Sequence, residues 1–241
     1  MKFFKILSVF LLLEFAADAQ VNHSAWDALL KMHVSKTGWV SYKGFLNDSE
    51  KLDAYLNELS QDAPNKTWSE DEKLAYWINA YNAFTVKLII DNYPVKSIKD
   101  IKKGIPTINS VWDLKFFEIG GEKMDLNHIE HAILRKDFEE PRIHFAIVCA
   151  SRSCPKLLNE AFTAEKLEGQ LQNQAVDFIN DESKNEFDKD EIRISQIFNW
   201  FKGDFTNGQT IQEYLKHFAK GDFNSDAKVK YLDYDWSLNG E

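Results

Sequence analysis

Apolar positions recur at helical spacing in two early stretches, SAWDALLKMHV and SEKLDAYLNELSQ, the second with Ser49 as its expected N-cap. Between them, SKTGWVSYKGFLND alternates in the manner of a short strand or turn. Beyond Pro64 a new helix is predicted at Ser69, whose capping box is completed by Glu72. From Glu70 to Asn92 apolar residues then fall nearly all round the helix, among them Leu74, Trp77, Ile78, Tyr81, Phe84 and Leu88, which predicts burial. Asn79 and Asn82 share one face of that helix. DLKFFEIGG reads as a strand ending in a Gly120-Gly121 turn, and a helix follows from about Asp125 to Arg135. IHFAIVC is the strongest strand pattern, apolar on both faces after the histidine and so expected at the centre of a sheet. The remainder predicts a helix capped by Thr163, a short strand and aromatic-rich helix in DEIRISQIFNWFKGDF, and a helix in TIQEYLKHFA. Without repeats or low-complexity segments, the pattern is α+β in one compact domain, helices outnumbering strands, with the Asn-containing helix packed on a small sheet.

At 241 residues and 44% hydrophobic content, one large core is within reach. A net charge of −9 argues against a nucleic-acid partner, which calls for clustered Lys and Arg. The first residues change the picture more. Lys2 and Lys5 precede an apolar run from Ile6 to Leu13, and Ala17-Asp18-Ala19 supplies an A-x-A cleavage site. The expected organisation is a signal peptide over 1–19 and one globular domain over 20–241, periplasmic or secreted, where disulfides are permitted. The run is too short to span a bilayer, and no stable membrane insertion is expected once the signal is removed.

Three segments, EKLAYWINAYNAFTV, LNHIEHAILR and RIHFAIVCASRSCP, with ISQIFNWFKGDF as a weaker fourth, resemble in order and spacing the motifs of the family called domain of unknown function 547, over a core of about 65–207. The resemblance implies a compact mixed domain and says little of activity. A Glu/His/Cys site like that of a cysteine hydrolase is an inference for such proteins, and it carries onto Cys149, His144, Glu130, His131, Asn79 and Asn82 of this chain. Plant-like members resemble SCGxxSSP here, keeping the first cysteine alone, which favours Cys149 as the functional thiol and Cys154 as dispensable.

From the residues themselves, two cysteines in an exported chain read equally as a disulfide staple or as a nucleophile and its neighbour. Cys149 falls where the strand pattern stops, a position that exposes a side chain to a crevice, and amides of the following ASRS are candidates for an oxyanion site. On a regular strand His144 and Cys149 would face opposite sides, unless a bulge intervenes or Cys149 has left the strand. At 100° per residue, Glu130 lies within the apolar face of Leu126, Ile129, Ile133 and Leu134, while His128, His131 and Arg135 lie on the other side. An inward carboxylate needs a partner, and either a core cation or the imidazole of a nucleophilic site serves. The expected assignment is Glu130 orienting His144, the base for Cys149, with His131 as the competing base. Asn79, Asn82 and Arg135 are candidate substrate-binding residues, although both asparagines read equally well as amides satisfying core backbone.

HIEH does not match H-E-x-x-H and GGEKMD lacks the P-loop lysine and serine, so no metal or other cofactor is expected. The functional expectation is an exported cysteine hydrolase or acyltransferase acting on an amide, peptide or ester bond of a small-molecule or peptide substrate. The alternative is a non-catalytic ligand- or protein-binding module stapled by a Cys149–Cys154 disulfide. Mass spectrometry of the chain recovered from its native compartment should find Gln20 as the first residue; an intact Met1 contradicts the signal-peptide reading.

Overall fold

The computed structural model describes residues 21–101 and 110–241; the expected signal peptide at 1–19 and part of the Lys- and Gly-rich loop lie outside the described residues. Helices α1 (Ser24–His33), α2 (Tyr42–Asn47), α3 (Ser49–Gln61) and α4 (Glu70–Ile90) open the chain. α2 forms where alternation suggested a strand or turn. Its start is fixed by the Ser41 hydroxyl, which accepts from the Gly44 amide and so satisfies one of the free N–H groups of a first turn. Only single bridging pairs, Val34 with Val40 and Val40 with Gly240, remain of the extended character there.

α4 is the axis of the larger core. Ser69 caps it, exchanging hydrogen bonds with Glu72 as the sequence predicts. α2 and α3 pack on it, with α1 packed on both. Phe84 stacks at 3.9 Å on Phe117 of strand β1 (Phe117–Ile119), which pairs with β2 (Glu122–Met124) in an antiparallel hairpin. The predicted turn joins them: Gly120 and Gly121 take φ of +60° and +81°, a conformation that suits glycine at both central positions of a tight hairpin.

After the hairpin the chain enters a π-helix, His128–Leu134, that runs on into α5 (Arg135–Asp137). The predicted central strand is not formed. Ile143–Ala146 is instead one helical turn, α6, and the chain turns extended from Ile147. Its apolar character has another cause, because this segment lies between two cores. Ile143, Ala146, Ile147 and Val148 belong to the α4 core, whereas Phe145 belongs to a second core with Phe178, Phe198 and Phe205.

The second core is built by α7 (Leu167–Ile179), β3 (Glu186–Phe187), β4 (Glu191–Ile194), α8 (Ile197–Trp200), α9 (Lys202–Phe205), α10 (Ile211–Lys216) and β5 (Lys228–Tyr231). α7 begins four residues after Thr163, its expected cap. β4 is central, antiparallel to β3 and parallel to β5. The fold is thus α+β in one compact domain. Among the described residues no helix is long and apolar enough to cross a membrane.

The segment between the cores has no helix or sheet ladder to satisfy its buried backbone, and side chains supply the missing partners. Asn82 donates to Ala146 O at 2.9 Å and accepts from Val148 N at 3.0 Å. Asn79 does the same at Phe162, donating to its carbonyl and accepting from its amide. Both carboxamides are therefore engaged with backbone in the core rather than with the cleft described below. Asn79→Leu and Asn82→Leu should each lower stability by about 1–3 kcal/mol per orphaned backbone group. Chemical denaturation checks this, and unchanged stability in both variants contradicts it.

Candidate active site

A cleft of about 650 Å³ opens where the two cores meet, and Glu130, His131, His144, Cys149 and Cys154 all line it. Four of the residues expected to carry chemistry are thus brought together, though not in the expected pairing.

The chain reaches Cys149 extended and leaves it through Ala150, whose φ of +57° is left-handed and costs a non-glycine residue about 1–2 kcal/mol. The C-terminal segment holds this turn in place. Ala150 O accepts from Asn239 N, and the Arg152 and Ser153 amides donate to Ser237 O and Asp235 O. The last two amides are therefore engaged, and an oxyanion site built from the whole ASRS stretch is not what the structure holds.

Cys149 is half-buried and Cys154 buried, and both are free thiols. Cys154 Sγ accepts from the Cys149 amide at 2.9 Å. Cys149 Sγ lies 3.1 Å from Ser151 Oγ and 3.2 Å from the Tyr234 hydroxyl, which are themselves 3.2 Å apart. Burial pushes the Cys149 thiol up, but hydrogen bonds from Cys154, Ser151 and Tyr234 outweigh it and bring the thiol down to about 7. Cys154 moves the other way, raised by burial and by the neighbouring Cys149. Of the pair, Cys149 is the one drawn toward the thiolate and Cys154 the one held toward the thiol.

His144 is 3% exposed, and its ring stacks on Phe201 at 3.9 Å. The carboxylate beside it is Asp204, not Glu130: His144 Nε2 and Asp204 Oδ2 are 2.7 Å apart. Arg135 secures Asp204 from the far side, with Nε donating to Oδ2 at 2.6 Å and Nη2 to Oδ1 at 2.8 Å. Arg135, expected to hold substrate, is thus committed to a side-chain pair. Burial works against ionisation of Asp204, and the hydrogen bonds from Arg135 and His144 more than offset it, holding the carboxyl well below the usual carboxylate range.

An ionised Asp204 can only accept, so His144 Nε2 carries the proton and Nδ1 is a bare acceptor. Nδ1 is buried without a hydrogen-bond partner among the described residues. Burial lowers the imidazole below its ordinary value despite the Asp204 charge, so His144 is neutral near pH 7. No hydrogen bond joins His144 to Cys149. His131, at the more open side, accepts from Arg135 Nη1 through Nδ1 at 2.9 Å, and burial together with the Arg135 charge lowers it too.

Glu130 is 7% exposed and points inward as the helical spacing predicts. Among the described residues its hydrogen-bonded side chain is Tyr81, whose hydroxyl donates to Oε2 at 3.2 Å. Burial raises its carboxyl to about 7, so that near neutrality it holds a proton much of the time. The helix here is π-helical, the Arg135 amide reaching back to Glu130 O in an i→i+5 bond, and His131 stays with Arg135 on the exposed side while still bordering the cleft.

The residues that sequence reasoning missed are Asp204, Ser151, Tyr234 and an aromatic wall of Trp112, Trp200 and Trp236. Asp204 stands in the GDF that ends the fourth motif, so a signal was present. Tyr234 and Trp236 lie in a C-terminal stretch whose only signal is its aromatic content. Among the described residues no group of three or more His, Cys, Asp or Glu is arranged to hold a metal ion.

No curated protein and no solved structure matches the chain. Residues 65–179 match the family model described as "Protein of unknown function, DUF547", a span that holds Glu130, His131, His144 and both cysteines and stops short of Asp204 and Tyr234. On that match, and with its motifs in the same order along the segment, the chain belongs to the DUF547 family.

Proposed function

We propose that this protein is a cysteine-dependent hydrolase or acyltransferase acting on an amide, peptide or ester bond, with Cys149 as nucleophile, and that it works after export, in the periplasm or outside the cell. The observation that carries the reading is the pairing, across one cleft, of a hydroxyl-supported thiol with a neutral imidazole whose bare Nδ1 has no partner among the described residues. The aromatic wall suits an apolar or planar acyl group, since such rings bury area and stack at low entropic cost.

In this reading the Cys149 thiolate attacks the carbonyl carbon and forms the S–C bond. The C–N or C–O bond breaks, and the leaving group departs with a proton from Glu130, the acid held protonated near neutrality. Water then attacks the thioester while His144 Nδ1 takes its proton. The S–C bond breaks, the thiolate returns, and the imidazolium returns its proton to Glu130. Asp204 keeps Nε2 protonated so that Nδ1 stays the acceptor. An acyl acceptor in place of water makes the same sequence a transfer.

A chromogenic aryl ester tests the reading. The wild-type chain should release one equivalent in a burst and then turn over, and Cys149→Ser should lose both phases. Cys154→Ser should keep the burst. Asp204→Asn and His144→Ala should keep the burst but fall in turnover by roughly 10²–10⁴-fold, the usual contribution of a positioned base. Glu130→Gln should keep the burst as well, because an aryloxide leaves without a proton donor. A burst that survives in Cys149→Ser, or a folded wild-type chain with none, contradicts the proposal.

A further inference from the structure

Hydrolysis by Cys149 explains one sulfur and leaves the other without a role. Cys154 is 5% exposed, borders the same cleft, and its Sγ receives the Cys149 amide at 2.9 Å. A serine hydroxyl accepts an amide equally well, so that contact does not call for sulfur. What sulfur adds is the ability to form a covalent bond to an oxidised neighbour. That contact sets the Cys154 sulfur against Cys149, and yet the two thiols are unjoined.

The loop that carries them favours closure. Ala150 turns left-handed, the Cys154 amide donates to Ser151 O at 3.2 Å, and the C-terminal segment pins the intervening residues, so the Cys154 sulfur is held against Cys149 across a short turn. One member is accessible from the cleft and supported by two hydroxyls; the other is buried against its backbone. A nucleophilic, reachable thiol beside a sheltered second one is the arrangement of a peroxide-reactive cysteine and its resolving partner.

We propose that Cys149 is a site of reversible oxidation by a hydroperoxide and that Cys154 is its resolving cysteine, which closes a Cys149–Cys154 disulfide and switches the site off. This regulation rests on the hydrolase reading for what it regulates, but not for its chemistry. The Cys149 thiolate attacks the distal oxygen of ROOH; the S–O bond forms, the O–O bond breaks, and the departing alkoxide takes up a proton as ROH. Cys149 is oxidised by two electrons to sulfenic acid and the peroxide is reduced. Cys154 sulfur then attacks Cys149 sulfur, the S–S bond forms, and the hydroxyl leaves with the Cys154 proton as water. A dithiol reductant reverses the last state by thiol–disulfide exchange. The buried partner also protects Cys149, because a sulfenic acid captured as a disulfide does not proceed to the irreversible sulfinic acid.

The test treats the full chain with hydrogen peroxide in the presence of dimedone, which traps sulfenic acids, and reads the products by mass spectrometry. The wild-type chain should lose two hydrogens, carry the Cys149–Cys154 linkage in its peptide map, take up no dimedone, lose the ester burst and regain it on adding dithiothreitol. Cys154→Ser, and Cys154→Ala as a second variant, should instead take up dimedone at Cys149 and, without the trap, pass to a sulfinic acid that dithiothreitol does not rescue. Cys149→Ser should give neither product. A persistent dimedone adduct in the wild-type chain, or inactivation that is irreversible there, overturns the proposal while leaving the hydrolase reading intact. A disulfide that forms and reverses in a chain without any ester burst has the opposite meaning: it upholds the redox pair and removes the hydrolase.

Discussion

The structure depends on burying an irregular stretch of backbone. Residues 147–154 run between two hydrophobic cores without a helix or a sheet ladder, and peptide groups taken out of water must be paired or cost on the order of 1–3 kcal/mol each. The pairing comes from far along the sequence. Asn82 holds the backbone of Ala146 and Val148, and Gln174 donates to Phe145 O and Lys156 O. The C-terminal residues bind Ala150, Arg152 and Ser153. That last segment is fixed in turn at residues 40–42, where Gly240 approaches so closely that an added Cβ would lie 2.0 Å from Val40 O. A left-handed alanine beside a reactive thiol is sustained because the surroundings overdetermine it.

The site's electrostatics follow from the same burial. Glu130, His144 and Cys149 line one cleft with Asp204 bonded to His144, and their environments separate them: Asp204 is ionised by Arg135 and His144, His144 is neutral, and Glu130 is kept partly protonated. Cys149, which burial alone would keep protonated, is drawn toward the thiolate by hydrogen bonds from Cys154, Ser151 and Tyr234 rather than by an imidazolium. Groups pushed apart in this way are what the proposed chemistry draws on for an acid, a base and a nucleophile at one pH.

How much of this was legible depends on how local each determinant is. α4, its capping box and the Gly120-Gly121 hairpin were readable because their causes lie within a few residues. The inward turn of Glu130 was readable too, from apolar spacing alone. IHFAIVC misled because a short apolar run looks alike whether it is buried in a sheet or wedged between two cores. His131 and Arg135 were readable in the same way, on the side away from the apolar face, where they hydrogen-bond to each other. Assigning Glu130 to His144 required knowing which carboxylate arrives from a distant element, and Asp204 comes from 60 residues further on. Tyr234 and Ser151 support the thiol through hydrogen bonds of hydroxyl groups, which leave no spacing to read.

The central claim is that hydrogen bonds from Cys154, Ser151 and Tyr234, and not a histidine, hold Cys149 near its thiolate. Titration of thiolate ultraviolet absorbance, taken as the difference between the wild-type chain and Cys149→Ser, tests it most directly when repeated in Tyr234→Phe and His144→Ala backgrounds. The account expects a midpoint near 7 in the wild-type chain, little changed by His144→Ala and raised by Tyr234→Phe. A midpoint at the ordinary thiol value, or one that moves with His144 and not with Tyr234, contradicts it.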